Sequence, residues 1–308
     1  METVPPPDLA AEPDGYVVQV DSGDRIHFLD WGGPPGGAGV LLIHGLSNTA
    51  WSWAPVARRL RGVRRVVALD LRGHGLSDAP TSGYDPDTLA GDVRAVAEGS
   101  GLLSETSDQL VLAGHGFGAI VAAWTAAALG TRCAGVVLVD GGWESLDAAS
   151  GMDVDEFLRG LEEPPEVMRS MGAFLADRRA FDSGSWDADQ ERAARATVVE
   201  THAGRVVPST RPHVTEACVR AMFDYQPARA LSAFTAPITA LIADADDSSS
   251  SSRRAALDTA SAARVEAQLV PIRVRSFGPT GHNLMRYRPD QVCETLMSIA
   301  AAQTTPTR

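Results

Sequence analysis

Short, continuous apolar runs alternate with longer amphipathic ones along most of this chain. Tyr16–Val20 and Arg25–Trp31 alternate apolar and polar residues around Asp21-Ser22-Gly23-Asp24, which predicts a β-hairpin. Val40–Ile43, Val66–Leu69, Leu110–Ala113 and Gly135–Val139 are continuous apolar runs, as strands buried on both sides must be, and Ile238–Ala243 and Ile272–Phe277 also read as strands. Between them, Trp53–Leu60, Asp87–Glu98, Phe117–Leu129, Ser252–Ala263 and Asp290–Ala302 have helical spacing. The alternation predicts an α/β architecture: a mostly parallel, doubly wound sheet with the N-terminal hairpin as its antiparallel edge. From Gly142 to Leu231 the texture changes. The residues there are acidic and Arg-rich with helical periodicity and no clear strand, broken by Pro164, Pro165, Pro208 and Pro212. This predicts a helical insertion over the carboxyl ends of the strands, where doubly wound folds place their ligands. The expected division is a flexible arm over 1–15, a core over 16–141 and 232–308, and a helical cap over 142–231. The serine run at 248–252 is expected to be a flexible loop.

Composition narrows the chemistry. All 27 basic residues are arginine, which excludes a catalytic or Schiff-base lysine and the P-loop lysine. A formal net charge of −12 argues against a nucleic-acid or anionic-membrane partner and leaves a small-molecule substrate. Cys133, Cys218 and Cys293 are far apart, form no metal spacing, and fit buried thiols of a reducing cytoplasm. The first fifteen residues lack the apolar stretch of a signal peptide, and the longest apolar run is too short to span a bilayer. No cofactor fingerprint is present. Oligomeric state has no signature. The Arg-only, Ala-rich composition is associated with GC-rich genomes, in which enzymes of secondary metabolism are plentiful.

Three segments carry the candidate chemistry: Leu42-Ile43-His44-Gly45-Leu46-Ser47, Leu112-Ala113-Gly114-His115-Gly116-Phe117-Gly118, and Gly281-His282-Asn283. With Asp70-Leu71-Arg72-Gly73-His74-Gly75-Leu76-Ser77-Asp78, these motifs occur in the order of the α/β-hydrolase superfamily, which the chain resembles from about residue 16 to 302. The resemblance implies an α/β-hydrolase fold with a cap and a nucleophile elbow of the form G-x-S-x-G. Here Gly116 stands at the nucleophile position. It has no side-chain atom to form an acyl- or alkyl-enzyme, which puts both serine and aspartate chemistry in doubt.

The resemblance implies that His282 is the catalytic base and places Asp246 as its acid partner. Asp244 and Asp247 are alternatives by a small register shift, and Asp140, after the sixth strand, is a second possible acid site. The oxyanion hole is expected from the backbone N–H groups of Leu46 and Phe117. Gly45, Ser47, Trp51, His115 and Trp143 are expected near the substrate. Met168, Met171, Phe174, Phe181 and Trp186 could line an apolar pocket or pack between cap and core.

Three functions follow from these residues. The first is an enzyme in which a His–Asp dyad and an oxyanion hole perform acid–base chemistry without a covalent nucleophile. Its reaction would be a lyase, cyclase, isomerase or dehydratase step, or direct water activation. The second is an ordinary serine ester hydrolase whose serine has been replaced by Gly116. The third is a protein that binds a small molecule without turnover.

Overall fold

The computed structural model describes residues 8, 10–103, 109–161, 170–244 and 249–302. An eight-stranded sheet has the order β1-β2-β4-β3-β5-β6-β9-β10. Its strands are β1 (Asp14–Gln19), β2 (Arg25–Gly32), β3 (Gly39–Ile43), β4 (Val66–Leu69), β5 (Leu110–His115), β6 (Cys133–Val139), β9 (Ile238–Ala243) and β10 (Arg273–Phe277). The pairs β1–β2 and β2–β4 are antiparallel, and every other neighbouring pair is parallel. The mostly parallel sheet with an antiparallel hairpin edge is therefore as expected. Strands β3 to β6 are buried throughout, which is why they carry apolar residues on both faces.

Around the sheet lie α1 (Ala54–Leu60), α2 (Pro86–Gly99), α3 (Phe117–Leu129), α10 (Ser249–Glu266), α11 (Leu284–Tyr287) and α12 (Pro289–Ala302). Helix α2 starts where Asp85 accepts the Thr88 N–H at 3.0 Å, with Pro86 at its first position. Helix α3 is apolar almost all round, because it packs between the sheet and its neighbours.

Between β6 and β9 the chain forms α4 (Leu146–Ser150), α5 (Val154–Leu161), α6 (Met171–Phe181), α7 (Ala188–Ala196), α8 (Pro212–Phe223) and α9 (Pro227–Leu231). This stretch also holds a two-stranded antiparallel ribbon, β7 (Val198–Glu200) and β8 (Val206–Pro208), where no strand was expected. Three-residue strands carry too little alternation to register in a sequence pattern. Ser249–Ser252, expected as loop, form the first turn of α10. Pro164, Pro165, Met168, Asp246 and Asp247 lie outside the described residues.

The expected N-terminal arm is described at Asp8 and from Ala10 onward, and there it is anchored. The Ala11 carbonyl accepts from Arg58, and Glu12 pairs with Arg58 and Arg192, which joins α1 to α7. Buried Arg264 of α10 has only carbonyl acceptors. It donates to Val270, Leu231, Phe234 and Ala236, which fixes the return of the chain from α9 into β9.

Candidate active site

Sheet order reverses between β3 and β5, since β3 leads to β4 on one side and β5 lies on the other. A crevice opens outside the carboxyl ends of two such strands. The loops that follow β3 and β5 meet there. Close packing is enforced by glycines: a Cβ on Gly114 would lie 2.1 Å from the Gly118 carbonyl oxygen, and one on Gly118 would lie 2.4 Å from the Ile43 and His44 carbonyl oxygens. No side chain fits at either position.

Gly116, between them, differs. Its backbone has φ +52° and ψ −117°, the strained turn of an elbow, which glycine adopts freely. A Cβ built there would touch nothing closer than His282 Nε2, at 3.4 Å, an ordinary contact. Gly116 therefore has room for a side chain and faces a histidine.

His282 follows β10 and reaches back across β9. Its Nδ1 donates to Asp140 Oδ2 at 2.6 Å, which leaves Nε2 toward Gly116. The acid on His282 is thus Asp140, directly after β6. Asp244, one of the three aspartates near the expected position, pairs instead with Arg254 at 3.6 Å. The Asp140 side chain is 2% exposed, whereas that of His282 is 61% exposed, so solvent reaches the ring.

Asp140 has φ +49°, a left-handed conformation that Asp tolerates better than most residues. Its amide donates to Leu241 at 2.8 Å, and its Oδ1 accepts the Ala243 N–H at 2.9 Å and faces Arg253 Nη2 at 3.1 Å. Burial pushes the carboxyl's pKa up. The His282 hydrogen bond, the Arg253 guanidinium and the Ala243 amide outweigh it and hold the group below the usual carboxylate range.

Arg253 was not a sequence candidate. Its Nε also donates to Glu144 Oε1 at 2.9 Å, and its guanidinium lies 5.2 Å from the centre of the Trp143 ring. Nothing in its local sequence separates it from the many other arginines.

The His115 ring lies 4.4 Å from the His282 ring, tilted by 44°, and its Nε2 donates to the His282 carbonyl at 3.2 Å. Burial, with the His282 ring beside it, pushes the His115 imidazole down to about 3. A neutral ring with its proton on Nε2 fits this, because Nδ1 is buried against Gly45 without a partner. His44 donates through Nδ1 to the Gly45 carbonyl at 2.7 Å and accepts the Leu71 N–H on Nε2 at 2.9 Å, so it braces the loop after β3. Phe117 is the first residue of α3, so its N–H has no acceptor within the helix. Leu46 follows Gly45, whose Cα lies 3.9 Å from the Cβ position at Gly116.

Gly116, Gly45, His115, His282 and Asp140 are thus brought together. Other candidates are engaged elsewhere. Ser47 is exposed with φ +58°. Trp51 lies edge-on to Trp31, with the Arg192 guanidinium 4.6 Å from its ring centre. Trp143 is fully buried in the core, and Phe181 is 88% exposed.

A mostly parallel sheet, a strand–glycine turn–helix at its switch point, and a His–Asp pair from the neighbouring loops define a protein of the α/β-hydrolase type. The chain belongs to the alpha/beta hydrolase family, whose profile matches residues 40–295. It is similar to epoxide hydrolase 4 of Mus musculus, 38% identical over 109 residues, covering 35% of this chain and 29% of that protein. It is also similar to N-formylmaleamate deformylase of Pseudomonas putida, 37% identical over 120 residues, covering 39% of this chain and 42% of that protein. The chain thus spans less than half the length of these relatives. The solved structure of E-2-(acetamidomethylene)succinate hydrolase shares the fold, with a TM-score of 0.72 at 19% identity, covering 93% of this chain and 98% of that one. No helix among the described residues is long and apolar enough to cross a membrane.

Proposed function

We propose that this chain is an α/β-hydrolase-fold enzyme that works without a covalent nucleophile. In this reading His282 is the general base and then the general acid, Asp140 orients and stabilises it, and the Leu46 and Phe117 amides hold a carbonyl oxygen as it gains charge. The substrate is a small, mostly apolar, carbonyl-containing molecule, and water activation is the favoured step. The observation that carries the proposal is His282 Nε2 standing 3.4 Å from the Cβ position of a residue that has no side chain. The base is aimed, and no protein atom is there to receive its help. The 61% exposure of the His282 side chain favours water as the group it acts on. The hydrolase names of the relatives point the same way, although Gly116 offers neither the oxygen for an acyl-enzyme nor the carboxylate for an alkyl-enzyme.

The test is turnover of a panel of small esters, amides and enol or epoxide compounds, read by mass spectrometry. His282→Ala is expected to lose about 10²–10⁴-fold. Equal turnover by this variant and the parent would sink the proposal. A compound bound tightly and returned unchanged by both would instead indicate a binding protein.

A second reading, a serine hydrolase that carries glycine at its nucleophile position, is favoured by the elbow's retained φ and ψ and by the room at Gly116. Gly116→Ser with short acyl p-nitrophenyl esters separates the two. A large gain in hydrolysis supports the second reading, and no gain removes it.

A further inference from the structure

The turn that carries His282 is exposed, and the helix that follows it is not. Gly281 and His282 are open to solvent, whereas Leu284 and Met285, at the start of α11, are fully buried. Burial therefore anchors α11 without fixing the turn. Side chains hold the turn instead. Asp140 accepts from Nδ1 of the ring, and His115 donates to the His282 carbonyl. The Tyr287 ring, further along α11, lies against Gly281, where a Cβ would come within 2.5 Å of Tyr287 Cε2. Gly281 is not in the left-handed region, so the ring, rather than the backbone, leaves no room for a side chain there.

Tyr287 and its neighbour Arg286 meet a carboxylate from another part of the chain. Asp182 ends α6 and precedes the single turn Ser183–Ser185 that leads toward α7. Ser185 donates to Asp182 Oδ2 at 2.6 Å. Arg286 Nη2 donates to the Asp182 backbone carbonyl at 3.1 Å and lies 3.6 Å from Oδ2. The Ser185 and Tyr287 hydroxyls, with the Arg286 guanidinium, hold the Asp182 carboxyl below the usual carboxylate range. Burial and that carboxylate push the Tyr287 phenol up, so it stays protonated beside Asp182. The α6–α7 connection is thereby tied, through α11, to the turn that holds His282.

We propose that Asp182 and Tyr287 are positioning residues for His282: the α6–α7 connection, acting through the Tyr287 ring on Gly281, sets where the imidazole stands. This rests on the acid–base reading above and adds to it the element that keeps the base aimed. A base displaced by about 1 Å loses about 10²-fold in rate, so a side chain that never meets the substrate can still control turnover.

The test reads the ring directly and needs no substrate. Long-range 1H–15N correlation spectra of the 15N-histidine-labelled chain, recorded at alkaline pH, report which nitrogen of His282 carries the proton. The signal is assigned by its absence from His282→Ala. The parent ring should be in the Nδ1–H form that Asp140 selects. Asp182→Asn keeps the backbone carbonyl for Arg286 and alters no group that touches the His282 ring, but it should let the Nε2–H form of a freer imidazole appear. Tyr287→Phe, which keeps a ring on Gly281 and loses only the hydroxyl, should do the same. The double variant should be no worse than either single one, because both cut the same link. On any compound the parent turns over, each variant should lower kcat by about tenfold with KM nearly unchanged.

A His282 signal that matches the parent's in Asp182→Asn and Tyr287→Phe overturns the proposal, even if their melting temperatures fall, since that pattern belongs to a merely structural link. Effects that add in the double variant overturn it as well. An unmoved signal alongside His282-dependent turnover removes this inference alone. A parent ring already in the Nε2–H form, or turnover that survives His282→Ala, removes the acid–base reading beneath it.

Discussion

Among the described residues two His–Asp pairs share one hydrogen-bond geometry and differ in access. His282 Nδ1 meets Asp140 Oδ2 at 2.6 Å, and His27 Nδ1 meets Asp70 Oδ2 at 2.8 Å. Both aspartate side chains are 2% exposed, yet the His282 side chain is 61% exposed and that of His27 only 8%. The surroundings of the two aspartates diverge accordingly. Asp70 accepts from Ala50 at 2.7 Å and Leu76 at 3.0 Å, and so ties together the loops after β3 and β4, while the far nitrogen of His27 faces Gly15 of β1. Asp140 sits at a strand end with Arg253 behind it, and its histidine faces the elbow. The same hydrogen bond thus serves as a brace in one place and, in the proposed reading, orients a base in the other. What separates them is the free nitrogen, packed against backbone in one and open toward a possible substrate in the other.

Replacing the same atom in both pairs is the sharpest way to break this parallel. Asp140→Asn is expected to cost about 10³–10⁴-fold in turnover, since the amide can no longer hold the right tautomer or stabilise the imidazolium. Its melting temperature should move little, and a matched loss of fold would overturn the assignment. Asp70→Asn should behave in the opposite way. The amide leaves the site's geometry intact but breaks a buried pair that also satisfies two backbone amides. A loss of about 3 kcal/mol in unfolding free energy is expected, with turnover per folded molecule unchanged. Denaturant titration together with kcat separates the two outcomes.

How far this contrast was legible in the sequence follows from how each part is specified. The sheet could be read because strands buried on both faces must be apolar throughout, as Val136–Val139 are. The elbow could be read because Gly114 and Gly118 have no room for any side chain. His282 was singled out by the family resemblance and its place after the last strand. Its acid partner was less visible. An aspartate after β6 and one after β9 are equally natural in sequence, and only the reach of His282 back across β9 shows which one it touches. Arg253 was invisible because its role depends on a contact 113 positions away, with no local pattern. Between β6 and β9 helices were expected and the three-residue strands β7 and β8 were not. Trp51 and Trp143, expected near the substrate, instead lie against Arg192 and Arg253.

Acid offers a third and smaller test, because buried histidines flank both pairs. Burial pushes His74, near Asp70, and His115, near His282, down to about 3. Each has one ring nitrogen without a partner, so a second proton would be buried without an acceptor. In the unfolded chain both rings titrate near 6.5, so the unfolded state binds more protons below that value. Their contribution to stability is fully present above about pH 6.5 and is lost as pH falls toward 3. Urea unfolding is expected to weaken by about 2–4 kcal/mol between pH 7 and pH 5. His115→Gln should make that slope shallower, and an unchanged slope would show that His115 protonates without hindrance in the folded state.

The smallest effect is expected behind the His282–Asp140 pair, and it asks whether Arg253 does more than hold α10 in place. Its guanidinium shares Asp140 with His282, drawing charge from the carboxylate that would otherwise stabilise an imidazolium. Glu144 holds its other edge, so the cation stays fixed whether or not His282 is charged. Removing it takes away one of the charges that hold the Asp140 carboxyl down against burial, and should move the acid limb of the activity profile to higher pH. Arg253→Gln is expected to move that limb upward, with at most a few-fold loss at pH 8. Arg253→Lys retains a positive charge and should return the limb most of the way, although it cannot bridge Asp140 and Glu144 with a rigid fork. A purely structural arginine would lower stability and leave the limb where it is. The position of the limb, rather than the size of the rate, decides between these roles.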